Sequence, residues 1–348
     1  MTQREVPLVL FGFGKVGQAM ARLLEERDGF RDQGVEIHLR AVFDRGGCSF
    51  GERLPLREIL AAKGDGGTVA SLPGLGRADI SAPEVLSRLP KAILVDTSPT
   101  DPETGEPGLS VVRDALDHGH SVALASKGPL VVAFEELLEK ARLHGCRLGI
   151  SAAVGAPLPG LETALVSLHG CRVRGFRGVF NDTANLILRQ METGTAYGEA
   201  LETARRAGVL ETDPRLDVEG WDTAFKVLLL ARSFWDPALS LTAARIEGIT
   251  DLSASDLARS AEQPKRVRLI GSARREDTGR VKIVVGPEAL ARDDPLYDLE
   301  PGEKAAVFDS DLMGRFVVRS GKGGPETTAA TIAKDILNMV AHASPFAL

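Results

Sequence analysis

The densest cluster of charged residues groups several carboxylates ahead of one lysine, Lys226. Pro214 and Gly220 predict a loop, and a helix is expected to begin near Asp222, four residues before Lys226 and so on the same helical face. Acidic residues are common in the first turn of any helix, so an ordinary helix start with one salt bridge is the structural alternative. The grouping, which leads into the apolar residues 227–231, favours acid–base chemistry at a functional site.

A second set of residues points to a nucleotide. Gly12-Phe13-Gly14-Lys15-Val16-Gly17 matches G-x-G-x-x-G between a predicted strand and a predicted helix. Gly12 allows the tight turn, Gly14 lets a pyrophosphate approach the backbone, and Gly17 lets helix and strand pack closely. The motif predicts a dinucleotide site, and the alternative is a tight turn without a ligand.

The end of the second predicted strand bears on the choice of nucleotide. Asp44 at this position favours NAD, because an acid there accepts hydrogen bonds from the adenosine ribose. Arg45 beside it favours NADP, because an arginine can pair with a 2′-phosphate. Arg45 is equally consistent with a solvated turn, so the sequence leaves NAD and NADP both open.

The elements that must position these groups fall into two halves. In the first half, predicted strands at residues 8–11, 35–43, 92–96, 121–125 and 146–150 alternate with helical segments at 16–26, 111–118 and 135–144. This order is typical of a parallel, doubly wound sheet. We therefore predict a Rossmann domain over residues 1–150.

The second half reads differently. Helical segments at 186–193, 197–207 and 222–234 are followed by closely spaced strands at 245–249, 266–273, 281–285, 305–308 and 316–319. We predict an α+β substrate and dimerisation domain over residues 151–320, with an antiparallel or mixed sheet. Residues 321–348 are predicted to return to the Rossmann domain.

Composition narrows the classes of protein. The 348 residues carry 48 acidic and 42 basic side chains, a net charge of −6, with no basic stripe that could follow nucleic acid. Cys48, Cys146 and Cys171 show no CxxC spacing, and the six histidines form no ligand spacing. No run approaches the ~20 apolar residues of a spanning helix. We expect a cytoplasmic protein with no membrane or nucleic-acid partner.

Several motifs, taken together and in this order, resemble the homoserine dehydrogenase family. They are Gly12-x-Gly14-x-x-Gly17, Asp96-Thr97-Ser98-Pro99-Thr100, Ala125-Ser126-Lys127-Gly128-Pro129-Leu130, Ala153-Val154-Gly155-Ala156, Asn181-Asp182-Thr183-Ala184-Asn185, Gly208-Val209-Leu210-Glu211-x-Asp213-Pro214-x-x-Asp217-x-x-Gly220-x-Asp222-x-x-x-Lys226 and Gly321-Lys322-Gly323-Gly324-Pro325. The resemblance covers nearly the whole chain and matches the short form, which ends without an ACT regulatory domain.

The resemblance implies an NAD(P)-dependent homodimer that interconverts L-homoserine and L-aspartate 4-semialdehyde in threonine and methionine biosynthesis. It implies that Lys226 is the catalytic acid/base and that Lys127 is a second lysine at the substrate and nicotinamide. Glu211 would bind the substrate ammonium group. Asp217, Asp222 and Thr183 would support substrate binding.

The resemblance also assigns residues to the cofactor. The expected contacts are Gly12, Gly14, Lys15, Val16, Gly17, Asp44, Arg45, Thr97, Ser98, Lys127, Gly208, Gly323 and Gly324. The physical chemistry agrees with such a site, because hydride transfer develops alkoxide charge that a lysine can neutralise with a proton. A lysine has a pKa of ~10.4, so the fraction of its neutral, proton-accepting form increases as the pH rises. Oxidation is therefore expected to favour alkaline pH.

The chain departs from the family pattern at four positions. Ser126 precedes Lys127 where the family usually has asparagine, and Asp182 stands where a glycine is usual. Ser151 replaces a glutamate of the family's monovalent-cation loop, and Pro157 replaces a small residue. The backbone carbonyls of Val154, Ala156 and Leu158 are still candidate ligands for Na⁺ or K⁺.

These departures leave two alternatives open. One is a catalytically weak paralogue that binds the dinucleotide as a sensor, and the other is a related Rossmann dehydrogenase acting on another amino acid or semialdehyde. A thioester-forming aldehyde dehydrogenase is disfavoured, because no cysteine has a nucleophile-like context with a partner histidine.

Overall fold

The computed structural model describes residues 4–206, 210, 214–255, 257 and 265–341. Contacts within the chain divide it into two units. The first unit comprises Met1–Ala156 with Gly324–Leu348, and the second comprises Pro157–Gly323. The chain therefore enters the second unit once and then returns to the first. The assignment of cofactor and substrate to separate domains stays a prediction.

The first unit contains a seven-stranded sheet with the order β4-β3-β2-β1-β5-β6-β7. Its strands are β1 (Arg4–Phe11), β2 (Val35–Asp44), β3 (Gly47–Phe50), β4 (Gly76–Arg77), β5 (Ile93–Asp96), β6 (Ser121–Leu124) and β7 (Leu148–Gly149). Strands β2, β1, β5, β6 and β7 run parallel, and β3 and β4 form an antiparallel edge. Three consecutive residues of β1, Leu8, Val9 and Leu10, have no exposed surface, as expected for a parallel strand covered on both faces.

In the described part of the first unit, five helices connect these strands and a sixth follows β7. They are α1 (Lys15–Glu26), α2 (Leu56–Lys63), α3 (Ala82–Ser87), α4 (Gly108–Asp117), α5 (Gly128–Leu143) and α6 (Ser151–Gly155), with short 3₁₀ segments at Asp28–Gln33, Gly64–Gly66 and Val69–Ser71. From β1 the chain adds β2, β3 and β4 on one side of β1, and β5, β6 and β7 then lie on its other side. The strand order therefore reverses between β1 and β5, which makes this place a topological switch point. In open α/β sheets ligands bind outside the carboxyl ends of the strands at such a point.

The second unit contains a six-stranded sheet with the order β13-β12-β8-β10-β11-β9. Its strands are β8 (Val173–Val179), β9 (Arg245–Ile246), β10 (Lys265–Arg275), β11 (Val281–Ala291), β12 (Ala305–Ser310) and β13 (Arg315–Arg319). All neighbouring strands pair antiparallel except β11 and β9. The mixed sheet agrees with the predicted α+β architecture.

The described helices of the second unit are α7 (Gly160–Glu162), α8 (Asp182–Glu192), α9 (Tyr197–Arg206), α10 (Arg215–Val218) and α11 (Trp221–Phe234), with a π-helical turn at Thr163–Ser167. Helices α8 and α11 both contact β10, and Leu188, Ala224 and Leu269 share one buried apolar cluster there. The loop expected around Asp217 is in fact the short helix α10, and α11 begins at Trp221. This packing fixes α8 and α11 against β10.

The last helix, α12 (Pro325–Val340), belongs to the first unit and packs on α1. Ile332 and Ile336 of α12 join Met20 of α1 in one buried cluster. The carboxyl end of α12 is held by two guanidinium groups, because Arg4 donates to the Val340 carbonyl at 2.7 Å and Arg147 to the Met339 carbonyl at 3.1 Å. Cations stabilise the free carbonyls at the end of a helix. The packing of α12 on the first unit agrees with the predicted fold class, in which the C-terminal helix packs on the Rossmann domain.

No helix in the described part of the chain has both the length and the apolar character needed to cross a membrane.

Asp96, at the end of β5, is a fully buried carboxyl group. Its Oδ1 accepts a hydrogen bond from the Ser98 backbone N–H at 2.9 Å, and among the described residues its Oδ2 has no hydrogen-bond partner. Burial raises the pKa of Asp96 from 3.8 to about 6. The folded state therefore holds a proton that the unfolded chain releases between these values, and it loses stability as the pH rises through them.

We expect Asp96→Asn to remove this pH dependence. As the pH rises from 4 to 8, the free energy of unfolding of the variant should increase relative to that of the unaltered chain by on the order of 3 kcal/mol. Urea unfolding at both pH values measures this. An equal difference between the two proteins at pH 4 and pH 8 would contradict the raised pKa.

Candidate active site

The glycine-rich turn lies between β1 and α1, against the end of β5. Gly12 has φ +96°, and a Cβ at this residue would lie 2.7 Å from the backbone of Thr97. The Thr97 hydroxyl donates to the Gly12 carbonyl at 2.6 Å, and a Cβ on Gly17 would lie 2.4 Å from the same carbonyl. Gly12 and Gly17 are therefore required by the backbone conformation and by close packing, respectively.

Gly14 is different, because nothing among the described residues lies within 4 Å of the place its Cβ would occupy. It precedes α1, whose first turn has no acidic residue and no side-chain cap. The free N–H groups of Lys15, Val16 and Gly17 and the helix dipole together favour an anion in this open space. This arrangement fits the pyrophosphate of a dinucleotide.

Asp44 is already bound by the protein on both carboxylate oxygens. Lys63 and Thr68 each donate a side-chain hydrogen bond to it at 2.7 Å, and the backbone N–H groups of Gly46 and Val69 donate at 2.9 and 3.1 Å. Burial raises the pKa of Asp44, but these donors outweigh burial and hold its pKa below the ordinary value. Four donors fill the acceptor capacity of a carboxylate. Ribose hydroxyls would have to displace one of them, whereas Lys63 and the exposed Arg45 add positive charge for a 2′-phosphate.

Lys127 and Ser98 also lie in the first unit. Lys127 precedes α5, and its backbone N–H donates to the Thr100 hydroxyl at 3.2 Å. Ser98 is buried directly after β5, where the carboxyl ends of the parallel strands meet. Their predicted contacts to cofactor and substrate stay predictions.

In the second unit, Asn181 connects three elements. Its Oδ1 caps α8 by accepting from the Ala184 backbone N–H at 2.8 Å. Its Nδ2 donates to Asp217 of α10 at 2.6 Å and to Asp222 of α11 at 2.8 Å. Because Asn181 is buried, this single amide fixes the two predicted carboxylates relative to β8.

Lys226 is the cation of this cluster. Its Nζ donates to Asp222 at 2.5 Å and to the Phe180 carbonyl at 2.8 Å, and its side chain is only 13% exposed. Burial lowers the pKa of Lys226, but Asp222, Asp182 and Asp217 together outweigh burial and raise it above its ordinary value. Lys226 is therefore held protonated, as a proton donor must be.

Two further charged groups complete the cluster. Asp182, the unusual acid of the Asn181-Asp182-Thr183 segment, lies 3.5 Å from the buried Lys304. Sequence reasoning missed Lys304, because a single lysine before a strand carries no pattern that marks it as buried. Asn181 belongs to a sequence motif, but its amide bridge depends on chain folding over some forty residues.

Some predicted residues lie elsewhere. Gly208 and Glu211 lie outside the described residues. Thr183 is buried in the first turn of α8, and Gly323 and Gly324 are the residues on either side of the boundary between the two units. Among the described residues, no group of three histidine, cysteine, aspartate or glutamate side chains is placed to hold a metal ion.

Ser151 stands where the resemblance leads one to expect a glutamate of a monovalent-cation loop. Its hydroxyl donates to Asp335 of α12 at 2.7 Å, and it accepts a hydrogen bond from Lys334 at 3.0 Å. A carboxylate therefore does lie at this position, but it comes from α12 and is accompanied by a lysine. The carbonyl of Leu158 already accepts from the Gly160 N–H at 2.8 Å.

The two buried cysteines, Cys48 and Cys146, do not suit nucleophilic chemistry. Burial raises the pKa of Cys48 to about 11 and also raises that of Cys146. Both thiols therefore stay protonated at neutral pH, which agrees with the expectation against a thioester mechanism.

A Rossmann-type sheet with an open anion site and an α+β unit with a buried lysine among carboxylates define a dinucleotide-dependent dehydrogenase. The family model for homoserine dehydrogenase matches residues 159–337. The chain is 32% identical to the NAD(+)-dependent homoserine dehydrogenase of Pseudomonas canavaninivorans, covering 96% of each chain. It is 29% identical to the homoserine dehydrogenase of Methanocaldococcus jannaschii, covering 95% of this chain and 98% of that one.

A solved structure agrees with these matches. A hyperthermophilic archaeal homoserine dehydrogenase in complex with NADPH has a TM-score of 0.84 and 27% identity, covering 98% of this chain and 99% of that one. The chain belongs to the homoserine dehydrogenase family. The recognition from sequence motifs and the predicted fold class are confirmed.

The saturated Asp44 predicts a test of cofactor discrimination. Lys63→Met should remove a positive charge that a 2′-phosphate would use and free one lone pair of Asp44 for ribose. The ratio of the NADPH to the NADH dissociation constant should rise by about tenfold or more. Fluorescence titration with both nucleotides measures this, with the exposed Lys91→Met as the control. An unchanged ratio would exclude Lys63 from cofactor selection.

Proposed function

We propose that the chain is an NAD(P)-dependent oxidoreductase that interconverts L-homoserine and L-aspartate 4-semialdehyde, in the synthesis of threonine and methionine from aspartate. The observation that carries the proposal is the buried Lys226, held by Asp222 and the Phe180 carbonyl within the segment matched by the family model. The bound nicotinamide supplies or accepts the hydride.

Lys226 is the proton donor in the direction of reduction. Two of its three N–H groups are directed to Asp222 and to the Phe180 carbonyl, which leaves one direction for the reacting oxygen of the substrate. As hydride reaches the aldehyde carbon, negative charge develops on this oxygen, and Lys226 transfers a proton to it, directly or through water. In the reverse direction Lys226 must first lose its proton, so its raised pKa favours oxidation at alkaline pH.

The remaining residue roles are part of the same proposal. Asp222 supports Lys226 directly, and Asn181 holds Asp217 and Asp222 in place. Glu211 and Thr183 bind the substrate. Lys127 serves the substrate and nicotinamide. The dinucleotide is held by the glycine-rich turn and by the residues assigned to it by resemblance.

We also propose a cation at the carbonyls of Val154, Ala156 and Leu158. Backbone carbonyl oxygens suit Na⁺ or K⁺, and all three residues are buried. Lys334, beside Asp335 at Ser151, places a fixed positive charge on the residue that replaces the family's glutamate. The cation would therefore meet less negative charge here than a glutamate would provide.

The protein is also proposed to be a cytoplasmic homodimer. The free thiols of Cys48, Cys146 and Cys171, the first two of them buried, support a reducing compartment. The turn between β12 and β13 exposes Leu312 and Met313, and Val317 is exposed on β13, which lies at the edge of its sheet. An exposed apolar sheet edge is suited to a symmetric contact with a second copy.

We expect Val317→Lys combined with Met313→Lys to yield a monomer, because two charges on each copy would meet across the symmetric contact. Light scattering after size-exclusion chromatography measures the mass. Arg315→Lys on the same strand is the control. A double variant that keeps the mass of the unaltered protein would place the dimer contact elsewhere.

Lys226→Met should lower kcat for the reduction of L-aspartate 4-semialdehyde by about a hundredfold or more, because the proton donor is lost. Cofactor affinity should stay unchanged. Because Asp222 is then buried without its cation, Lys226→Met with Asp222→Asn is the matched variant for stability. Steady-state assays with NADH and with NADPH measure the rate. Cofactor binding without any turnover by the unaltered protein would favour the sensor alternative.

A further inference from the structure

Asp182 and Lys304 form a second ion pair beside the one between Asp222 and Lys226. Lys304 has a side chain only 9% exposed, and its Nζ lies 3.5 Å from Asp182 Oδ2. A Cβ on Gly323 would lie 2.8 Å from Asp182 Oδ2 and 3.3 Å from Lys304 Nζ. The pair therefore lies directly against the glycine-rich segment to which the resemblance assigns a cofactor contact.

The same pair also interacts with the catalytic cluster. Lys304 is electrostatically coupled to Lys226 and Asp222, and Asp182 is coupled to both of those residues. Lys304 precedes β12, whose first residue Ala305 pairs with Val179 of β8. Phe180, the carbonyl ligand of Lys226, follows Val179 directly. Two ammonium groups thus converge near the end of one strand.

We propose that Lys304 binds the α-carboxylate of the substrate and that Asp182 positions the Lys304 side chain. This inference rests on the proposed function and names the residue that selects an amino-acid substrate. Homoserine and aspartate 4-semialdehyde each carry an ammonium group, a carboxylate and the reacting oxygen. Lys226 has two N–H groups directed to the protein, so one lysine does not serve both the oxygen and the carboxylate.

The charges of the cluster support this assignment. Three carboxylates, those of Asp182, Asp217 and Asp222, lie around Lys226. Their negative charge attracts the substrate ammonium group and repels the substrate carboxylate. Lys304 is the second cation coupled to these groups in the described part of the second unit. A lysine held beside a carboxylate at ion-pair distance is placed to attract a second carboxylate from the substrate.

The ionisation of Lys304 provides a signature of its own. Burial and the neighbouring Lys226 lower the pKa of Lys304 to about 8, although Asp182 and Asp222 oppose this. Burial raises the pKa of Asp182, opposed by Lys304 and Lys226. Lys304 is therefore charged at pH 7 and loses its charge at moderately alkaline pH, so substrate affinity should fall as the pH rises through about 8.

The test uses Lys304→Met and Lys304→Gln in the full chain, with the exposed Lys282→Met as the control. The KM for L-homoserine should rise between about tenfold and about a hundredfold, the loss expected for a hydrogen bond between charged groups. The change in kcat should be much smaller than the change in KM. Lys304→Arg should recover part of the affinity, and the increase in KM above pH 8 should disappear in Lys304→Met.

A substrate without the carboxylate separates binding from a merely structural role. Oxidation of 3-amino-1-propanol, which is homoserine with hydrogen in place of the carboxylate, should have the same kcat/KM in the unaltered protein and in Lys304→Met. Loss of this reaction in parallel with homoserine oxidation would overturn the proposal, because Lys304 would then act through Lys226 or through folding. An unchanged KM for L-homoserine would overturn it as well.

Calorimetric titration of L-homoserine into the complex with reduced cofactor tests the same inference without turnover. Weaker binding to Lys304→Met, restored in part by Lys304→Arg, supports the proposal, and equal binding overturns it. Failure of the unaltered protein to oxidise homoserine with either nucleotide would instead count against the proposed function. The two failures are therefore distinguishable.

Discussion

The arrangement of the second unit depends on keeping one ammonium group, that of Lys226, charged in a buried place. A buried charge is strongly unfavourable unless it is paired and hydrogen-bonded. Asp222 and the Phe180 carbonyl meet this requirement directly, and Asn181 holds Asp222 and Asp217 in place. The end of β8, the cap of α8 and the start of α11 are thereby fixed to one another. The hydrogen bonds that keep the proton donor charged are therefore the same ones that hold these elements together.

Much of this fold could be predicted from the sequence because its signals are local. The run of apolar residues in β1, the glycines at Gly12 and Gly17, and the periodic spacing of α1 each depend on neighbours in the chain. Asp222 and Lys226 could be placed on one helical face for the same reason. The short helix α10 was not predicted, because Pro214 and Gly220 are breakers on either side of only four helical residues.

The parts that could not be predicted depend on contacts between distant segments. Asp44 was expected to meet a ribose, but Lys63 and Thr68, which lie about twenty residues further along the chain, occupy its oxygens. Lys304 is some 120 residues from Asp182, and neither residue alone indicates the other. The sequence shows that Asp182 departs from the family pattern, but only the structure shows that Asp182 pairs with Lys304. Substitutions at such positions are best understood in pairs.

The return of α12 to the first unit has a consequence for how the chain is made. Ile332 and Ile336 complete the apolar cluster around Met20, so the first unit lacks part of its core until α12 has been synthesised. The second unit, Pro157–Gly323, is contiguous and has no such delay. Although most of the first unit is synthesised before the second, we expect the first unit to finish folding last. During synthesis, one face of its sheet is therefore incompletely covered until α12 is in place.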